Sequence, residues 1–295
     1  MGRRRRRENA GPNGLVVLDK AFGPTSFSAM RAVERRLGAS RAGHAGTLDP
    51  AASGVLVVLL GEATKLSSWI VGHDKAYRAT IAFGRATDTL DATGETVAEA
   101  TLPPGFLTRE RVEAALPAFL GEQLQLPPRY SAIKKDGRSL MSRARAGEEF
   151  EVEPRQVVCH GLEIVAIGED RVVIDVACGS GYYVRSLARD LGQAIDVPSH
   201  LAALVRTRSG PFTIAQAKPV EVLTAEDVNP IHGDVMGIPT LRLEADDADA
   251  IGHGRTVAAA GDAPRALVTG PDGAPLALVE RTPDDRWRVF RGLRL

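Results

Sequence analysis

Gly43-His44-Ala45-Gly46-Thr47-Leu48-Asp49-Pro50 leads through Ala51-Ala52-Ser53 into Gly54-Val55-Leu56-Val57-Val58-Leu59-Leu60, and the reading of this stretch decides the fold. The apolar run 54–60 is short for a buried helix and has the length of a strand covered on both faces. Two glycines and a proline fix an irregular backbone just before it. Such a segment, anchored on rigid structure, holds a side chain in one orientation, and Asp49 is the group held. On residue chemistry alone, the commoner meaning of the stretch is an Asp-Pro turn with His44 as a partly buried spectator.

Outward from there, residues 15–19 read as a short strand, and Ser26 opens a helix that runs through Leu37 and stops at Gly38. Residues 62–70 carry helical spacing. In residues 75–83 Tyr77, Ala79, Ile81 and Phe83 alternate with their neighbours, so Tyr77 shares a strand face with Ile81 and Phe83. Residues 108–120 read as a helix despite Pro117, residues 138–146 as another, 157–167 and 171–177 as paired strands around a turn at 168–170, and 183–194 as a helix. This interleaving lacks the regular βα period of a doubly wound sheet, so the expected class is α+β with a mixed or antiparallel sheet. Composition shifts near residues 220–239. Beyond them, short apolar pieces at 240–243, 266–268, 276–279 and 287–290 indicate a small β-rich appendage.

The 295 residues hold 37 Lys and Arg against 37 Asp and Glu and are 44% hydrophobic, which excludes disordered and collagen-like classes. No apolar run reaches the roughly 18 residues of a membrane span. Cys159 and Cys178 are too few for a disulfide framework or a thiolate zinc site and are expected in the core, in a reducing compartment. Arg3 to Arg7 is followed by Glu8, Asn9 and Gly11 rather than an apolar signal core, so a cytoplasmic protein is expected. The zero net charge hides a gradient: residues 1–45 carry ten basic and three acidic side chains, residues 221–295 eight and thirteen. A basic end can neutralise phosphates by its local potential, although an arginine run is more often a solvated tail.

Neither a Gly-x-x-x-x-Gly-Lys-Ser/Thr loop nor a Gly-x-Gly-x-x-Gly turn occurs, so the usual phosphate cradles of nucleotide cofactors are missing. The six histidines fall neither at i, i+4 nor beside the cysteines, which argues against a zinc centre. No Gly-x-Ser-x-Gly elbow is present. An enzyme with this sequence is expected to work through a carboxylate, without metal or organic cofactor.

Residues 43–50 resemble the catalytic motif of the TruB-type pseudouridine synthases, bacterial enzymes that isomerise a uridine in the T arm of tRNA. Further motifs stand in that family's order over about residues 14–212: Gly14-Leu15-Val16-Val17-Leu18-Asp19-Lys20 with Gly23-Pro24-Thr25-Ser26, Lys75-Ala76-Tyr77-Arg78-Ala79, the loop 85–94, residues 127–134, and Gly181-Tyr182-Tyr183-Val184-Arg185-Ser186-Leu187 with Asp190. The resemblance implies a mixed-sheet catalytic domain and a C-terminal PUA-like β domain that helps bind RNA. Boundaries are then expected at 1–12 for a basic tail, 13–220 for the catalytic domain, 221–239 for a linker and 240–295 for the β domain. A monomer that takes tRNA as its partner and also assists tRNA folding is the family expectation.

The resemblance also implies roles. Asp49 falls on the catalytic aspartate, as nucleophile or base, at position 55 of the tRNA T arm. Arg185 falls on the arginine that would keep it ionised. Tyr77 falls on the tyrosine that stacks on uracil and helps move the C5 proton, and Leu204 on an apolar wall of the pocket. His44 falls on the histidine that fills the space left by the flipped base. Lys20, Tyr130, Lys134 and Tyr183 lie in matching motifs and are expected on the RNA or pocket side. The acidic C-terminal segment departs from a phosphate-binding surface, and the arginine tail has no place in the pattern. A guide-RNA-dependent synthase is a neighbouring reading, against which the lack of long lysine-rich extensions argues. A glycoside hydrolase would need a second carboxylate, for which Asp88 and Asp91 are the candidates near in sequence.

Overall fold

The structure, a computed structural model, describes residues 11–131, 133–135 and 137–293. The arginine tail lies outside them. In chain order the first half comprises β1 (Gly14–Lys20), α1 (Ser26–Leu37), β2 (Ala42–Ala45), β3 (Ala52–Leu60), α2 (Ser67–Val71), β4 (Lys75–Phe83), β5 (Arg85–Thr87), β6 (Thr96–Glu99), α3 (Arg109–Ala115) and β7 (Gly121–Gln125). There follow β8 (Lys134–Lys135), β9 (Arg138–Ser139), α4 (Leu140–Arg145), β10 (Arg155–Ile167), β11 (Arg171–Cys178), α5 (Val184–Ala194), β12 (Ser199–Ser209) and β13 (Phe212–Thr213). The C-terminal part holds β14 (Thr240–Arg242), α6 (Ala245–Gly252), β15 (Val257–Ala258), β16 (Arg265–Thr269), β17 (Pro275–Arg281) and β18 (Arg286–Gly292).

The main sheet runs β1-β3-β12-β4-β11-β10-β7 and is antiparallel except where β12 lies parallel to β3. The apolar run reads as it does because β3 is covered twice. Leu56, Val58 and Leu60 face α1 with Met30 and Val33, whereas Val55, Val57 and Leu59 face the C-terminal sheet through Leu267, Leu278 and Leu293. Helix α1 starts where expected, with the Thr25 hydroxyl accepting from Ser28 N, and ends on Gly38 at φ 65°. Tyr77 packs with Ala79, Ile81 and Phe83, as their alternation requires.

One edge of β3 is shared by two strands placed end to end. Ala42–Ala45 pair with the far half of β3, His44 opposite Val58, and Leu204 to Arg206 of β12 pair with Ala52 to Gly54. Residues 46–51 loop out at this seam. Gly54 stands at φ 96°, and a Cβ there would come within 2.3 Å of Arg206 O, so only glycine lets the two strands close.

Several elements differ from expectation for local reasons. Residues 62–70 form a 3-10 turn, Gly61–Leu66, before the short α2. Pro117 lacks an amide hydrogen and ends α3 early, so Leu116–Phe119 tightens into a 3-10 turn. Arg138 and Ser139 pair as β9 before α4 begins at Leu140. Residues 221–239 run against the main sheet: Asn229 bridges Leu15, and Leu223 is buried beside α1. The β-rich C-terminal sheet, ordered β14-β16-β17-β18-β15, adds a helix, α6, and a core of its own around Trp287. Both cysteines are buried, opposite each other on β10 and β11.

Candidate active site

The loop at the seam forms one wall of a cleft of about 310 Å³. Gly46 to Asp49 line it from the loop, Lys75 and Tyr77 from β4, Gly179 to Arg185 from the approach to α5, and Leu204 and Arg206 from β12. Thus Asp49, Tyr77, Arg185, Tyr183 and Leu204 come together from segments far apart in sequence. The loop is pinned by its own hydrogen bonds: Ser26 Oγ donates to Leu48 O at 2.8 Å and accepts from Leu48 N at 2.7 Å. Asp49 follows immediately, its side chain 35% exposed to the cleft.

Arg185 lies beneath it and is nearly buried. Its Nη2 is 2.9 Å from Asp49 Oδ2 and donates to Tyr130 O at 3.0 Å. Its Nη1 donates to Thr89 O at 3.1 Å and lies 3.7 Å from Asp91 Oδ2. Two carbonyls and two carboxylates, the farther one at ion-pair distance, therefore surround one planar guanidinium, and its position fixes Asp49. Asp91 is itself held, with Oδ1 accepting from Thr93 N, the Thr93 hydroxyl and the Thr89 hydroxyl. Asp91 thus braces the arginine and is absent from the cleft lining, where a glycoside hydrolase would need its second carboxylate.

Burial pushes the Asp49 carboxyl above its ordinary range; Arg185 pulls it down and Asp91 pushes it up. The sequence-based expectation was that Arg185 would settle this contest, and burial outweighs it. Because the folded value stands above the unfolded one, keeping Asp49 ionised at neutral pH works against the fold, and that cost fades as pH falls. A reaction that uses the carboxylate should therefore lose rate on acidification at a pH above the ordinary aspartate value of 3.8. A single-turnover pH profile checks this, and an acid limb at or below that value would count against it.

The other expected residues sit elsewhere. Lys20 is 1% exposed and donates through Nζ to Ala21 O and Pro24 O, both at 2.9 Å, so it braces the turn into α1 rather than lining the cleft. His44, on β2, is half-buried, and among the described residues its Nδ1 has no hydrogen-bond partner. Burial and the nearby Arg206 hold the His44 ring below its usual pKa, hence neutral at physiological pH. Tyr130 lies outside the cleft lining and contributes its carbonyl to Arg185. Tyr183 is clamped, its N–H donating to Gln125 Oε1 and its carbonyl accepting from Gln125 Nε2. Lys134 stands in β8, and its side chain lies outside the described part.

Two cleft residues escaped the sequence reading. Lys75 precedes Tyr77 by two positions and Arg206 follows Leu204 by two, so period-two alternation puts each on the face of its neighbour. Lys75 is buried, donates to Val71 O at 2.6 Å and is pushed by burial to a pKa of about 8. Among the described residues no cluster of histidine, cysteine and acidic side chains could hold a metal ion, and no helix is long and apolar enough to cross a membrane.

Residues 34–184 match the family model described as TruB family pseudouridylate synthase, N-terminal domain. A tRNA pseudouridine synthase B of Caulobacter sp. strain K31 is 43% identical over 262 residues, covering 86% of this chain and 84% of its own. The protein of the same name from Symbiobacterium thermophilum is 50% identical over 216 residues, 72% of each chain. Among solved structures, a chain of an H/ACA ribonucleoprotein bound to a substrate RNA containing 2'-deoxyuridine superposes with a TM-score of 0.69 at 21% identity, over 96% of this chain and 85% of its own. At that identity the likeness concerns the fold, and it spans both the mixed-sheet part and the C-terminal β-rich part.

Proposed function

The chain belongs to the TruB family of pseudouridylate synthases, and from that premise we propose that it converts a uridine of tRNA, at position 55 of the T arm, into pseudouridine in the cleft at Asp49. The enzyme class, an isomerase acting on uridine in tRNA, follows from the family and from relatives that match most of both chains. The observation that carries the site assignment is the pairing of Asp49 with buried Arg185 at 2.9 Å on the floor of a cleft that also holds Tyr77 and Leu204.

In the isomerisation the C1′–N1 bond breaks, a C1′–C5 bond forms, the C5 proton leaves and N1 gains a proton, so no atom is gained or lost. Asp49 attacks or deprotonates to release the base, and Arg185 keeps the carboxylate in place. Tyr77 stacks on uracil and accepts the C5 proton, and Leu204 keeps water from the ring. The target nucleotide must be flipped out of the T loop, at a cost of a few kcal/mol, to reach so recessed a carboxylate. A neutral His44 ring suits the role of filling the vacated space, because stacking it on bases desolvates no charge. Lys75, Arg206 and Arg185 outnumber Asp49 in the cleft lining, which favours a phosphate-bearing substrate.

The experiment is conversion of an isolated T-arm stem-loop by purified protein alone, with no guide RNA and no added cofactor, and mapping of the product by chemical modification and primer extension. One pseudouridine at the T-loop position supports the assignment. Modification only when a guide RNA or a full ribonucleoprotein is supplied would replace it with the guide-dependent reading.

A further inference from the structure

We infer that Arg206 is the positioning residue of this site: its guanidinium fastens the Asp49 loop into the sheet seam and holds the Tyr77 phenol against it, so that the two reacting side chains keep one relative placement. This rests on the proposed isomerase reading and adds a residue to it.

The seam requires such a group. Along the β3 edge, Ala52 to Gly54 pair with β12 and Val57 to Leu60 with β2, which leaves Val55 and Leu56 between them without a strand partner on that side. Arg206 is 1% exposed and occupies the gap. Its Nε donates to Val55 O at 2.6 Å, its Nη2 to Gly46 O at 3.1 Å, and its Nη1 lies 3.5 Å from Thr47 O. One planar fork thus ties β3 to the first two residues of the loop that carries Asp49. Arg206 and Tyr77 line the same cleft, and the phenol interacts with the guanidinium.

Burying a cation costs several kcal/mol unless it is paired. Burial works against the Arg206 charge, and the carbonyls of Val55, Gly46 and Thr47 together with Tyr77 favour it. Lys75 nearby is a second cation, made less basic by Arg206. A structural brace alone could have been neutral, such as a glutamine. A buried guanidinium held by carbonyls and a phenol adds something a neutral brace does not: a positive charge at the atom that takes up the C5 proton.

The groups facing Tyr77 are Arg206 from β12, Cys178 from β11, Asp49 from the loop and Lys75 on its own strand. Burial raises the phenol above its ordinary value, Arg206 opposes this, and the Asp49 charge reinforces the rise. Removing the Arg206 cation lets the phenol rise further, so less of the proton-accepting form is present at a given pH.

Single-turnover rates on an unmodified tRNA transcript, from neutral to alkaline pH, test this for wild type, Arg206→Gln, Arg206→Lys and Tyr77→Phe, with tRNA affinity and thermal melting measured alongside. Arg206→Gln should lose at least about 100-fold in rate at neutral pH while affinity stays within about threefold, because placement and charge matter in the transition state. The shortfall against wild type should shrink at the alkaline end, where the less raised wild-type phenol ionises first, and the shrinkage should vanish when Tyr77→Phe is present in both. Arg206→Lys keeps the charge without the fork and should lose about tenfold, equally at every pH. Wild-type turnover by Arg206→Gln overturns the inference, and so does a loss of rate that only matches a loss of tRNA affinity. If Arg206→Gln fails to fold, Arg206→Lys decides: a reduced rate at unchanged affinity supports it and a wild-type rate overturns it. A wild type that binds tRNA and makes no pseudouridine is the failure of the isomerase reading, and is seen separately in the same assay.

Discussion

Asp49→Asn should keep the fold and the affinity for tRNA while its single-turnover rate falls by about 10⁴-fold, equivalent to about 5.5 kcal/mol of transition-state stabilisation. The amide matches the carboxylate in shape, so the hydrogen bonds between the Ser26 hydroxyl and the Leu48 backbone that shape the loop persist. What disappears is the anion, and with it both nucleophilic and base chemistry at this atom. Loss of binding in parallel with loss of rate would instead make Asp49 an RNA contact.

Arg185→Gln should be the second most damaging change, with two separable effects. The rate should fall by about 10³-fold, the upper range for removing one charged donor from a preorganised site. Stability should also fall by about 3 kcal/mol, because Asp91 and the carbonyls of Thr89 and Tyr130 lose the donor that satisfies them. Without the cation the Asp49 carboxyl rises further, so the acid limb of the pH profile should move upward. A variant with the wild-type acid limb would show that Arg185 does not act on Asp49. Denaturant melts separate the stability loss from the kinetic one.

Much of this molecule is written locally. The Thr25 and Gly38 caps bound α1, the alternation around Ile81 puts Tyr77 inward, and the unbroken run 55–60 marks a strand covered on both faces. What could not be read depends on partners distant in sequence. Strand β2, Ala-Gly-His-Ala, has no strand propensity of its own and exists because Leu60 to Val57 offer it an open edge. The middle strand β12 is defined by parallel pairing with β3 and antiparallel pairing with β4. Lys20 and Arg206 look like ordinary surface cations in sequence; only the turn at 21–24 and the sheet seam show what their buried charges hold. Asp49, Tyr77, Arg185 and Leu204 were nameable because each lies in a motif of the family, and the fold adds that all four border one cleft.

Pseudouridine formation expels the C5 hydrogen of a single uridine, so the most direct measurement is tritium released to water from tRNA labelled with 5-³H-uridine, using dialysed protein with nothing added. One uridine equivalent released per tRNA by the wild type, and none by Asp49→Asn on the same timescale, is the expected result. A folded wild type that binds tRNA and releases no tritium, or an Asp49→Asn variant that releases it at a comparable rate, would contradict an aspartate-dependent isomerase in this cleft.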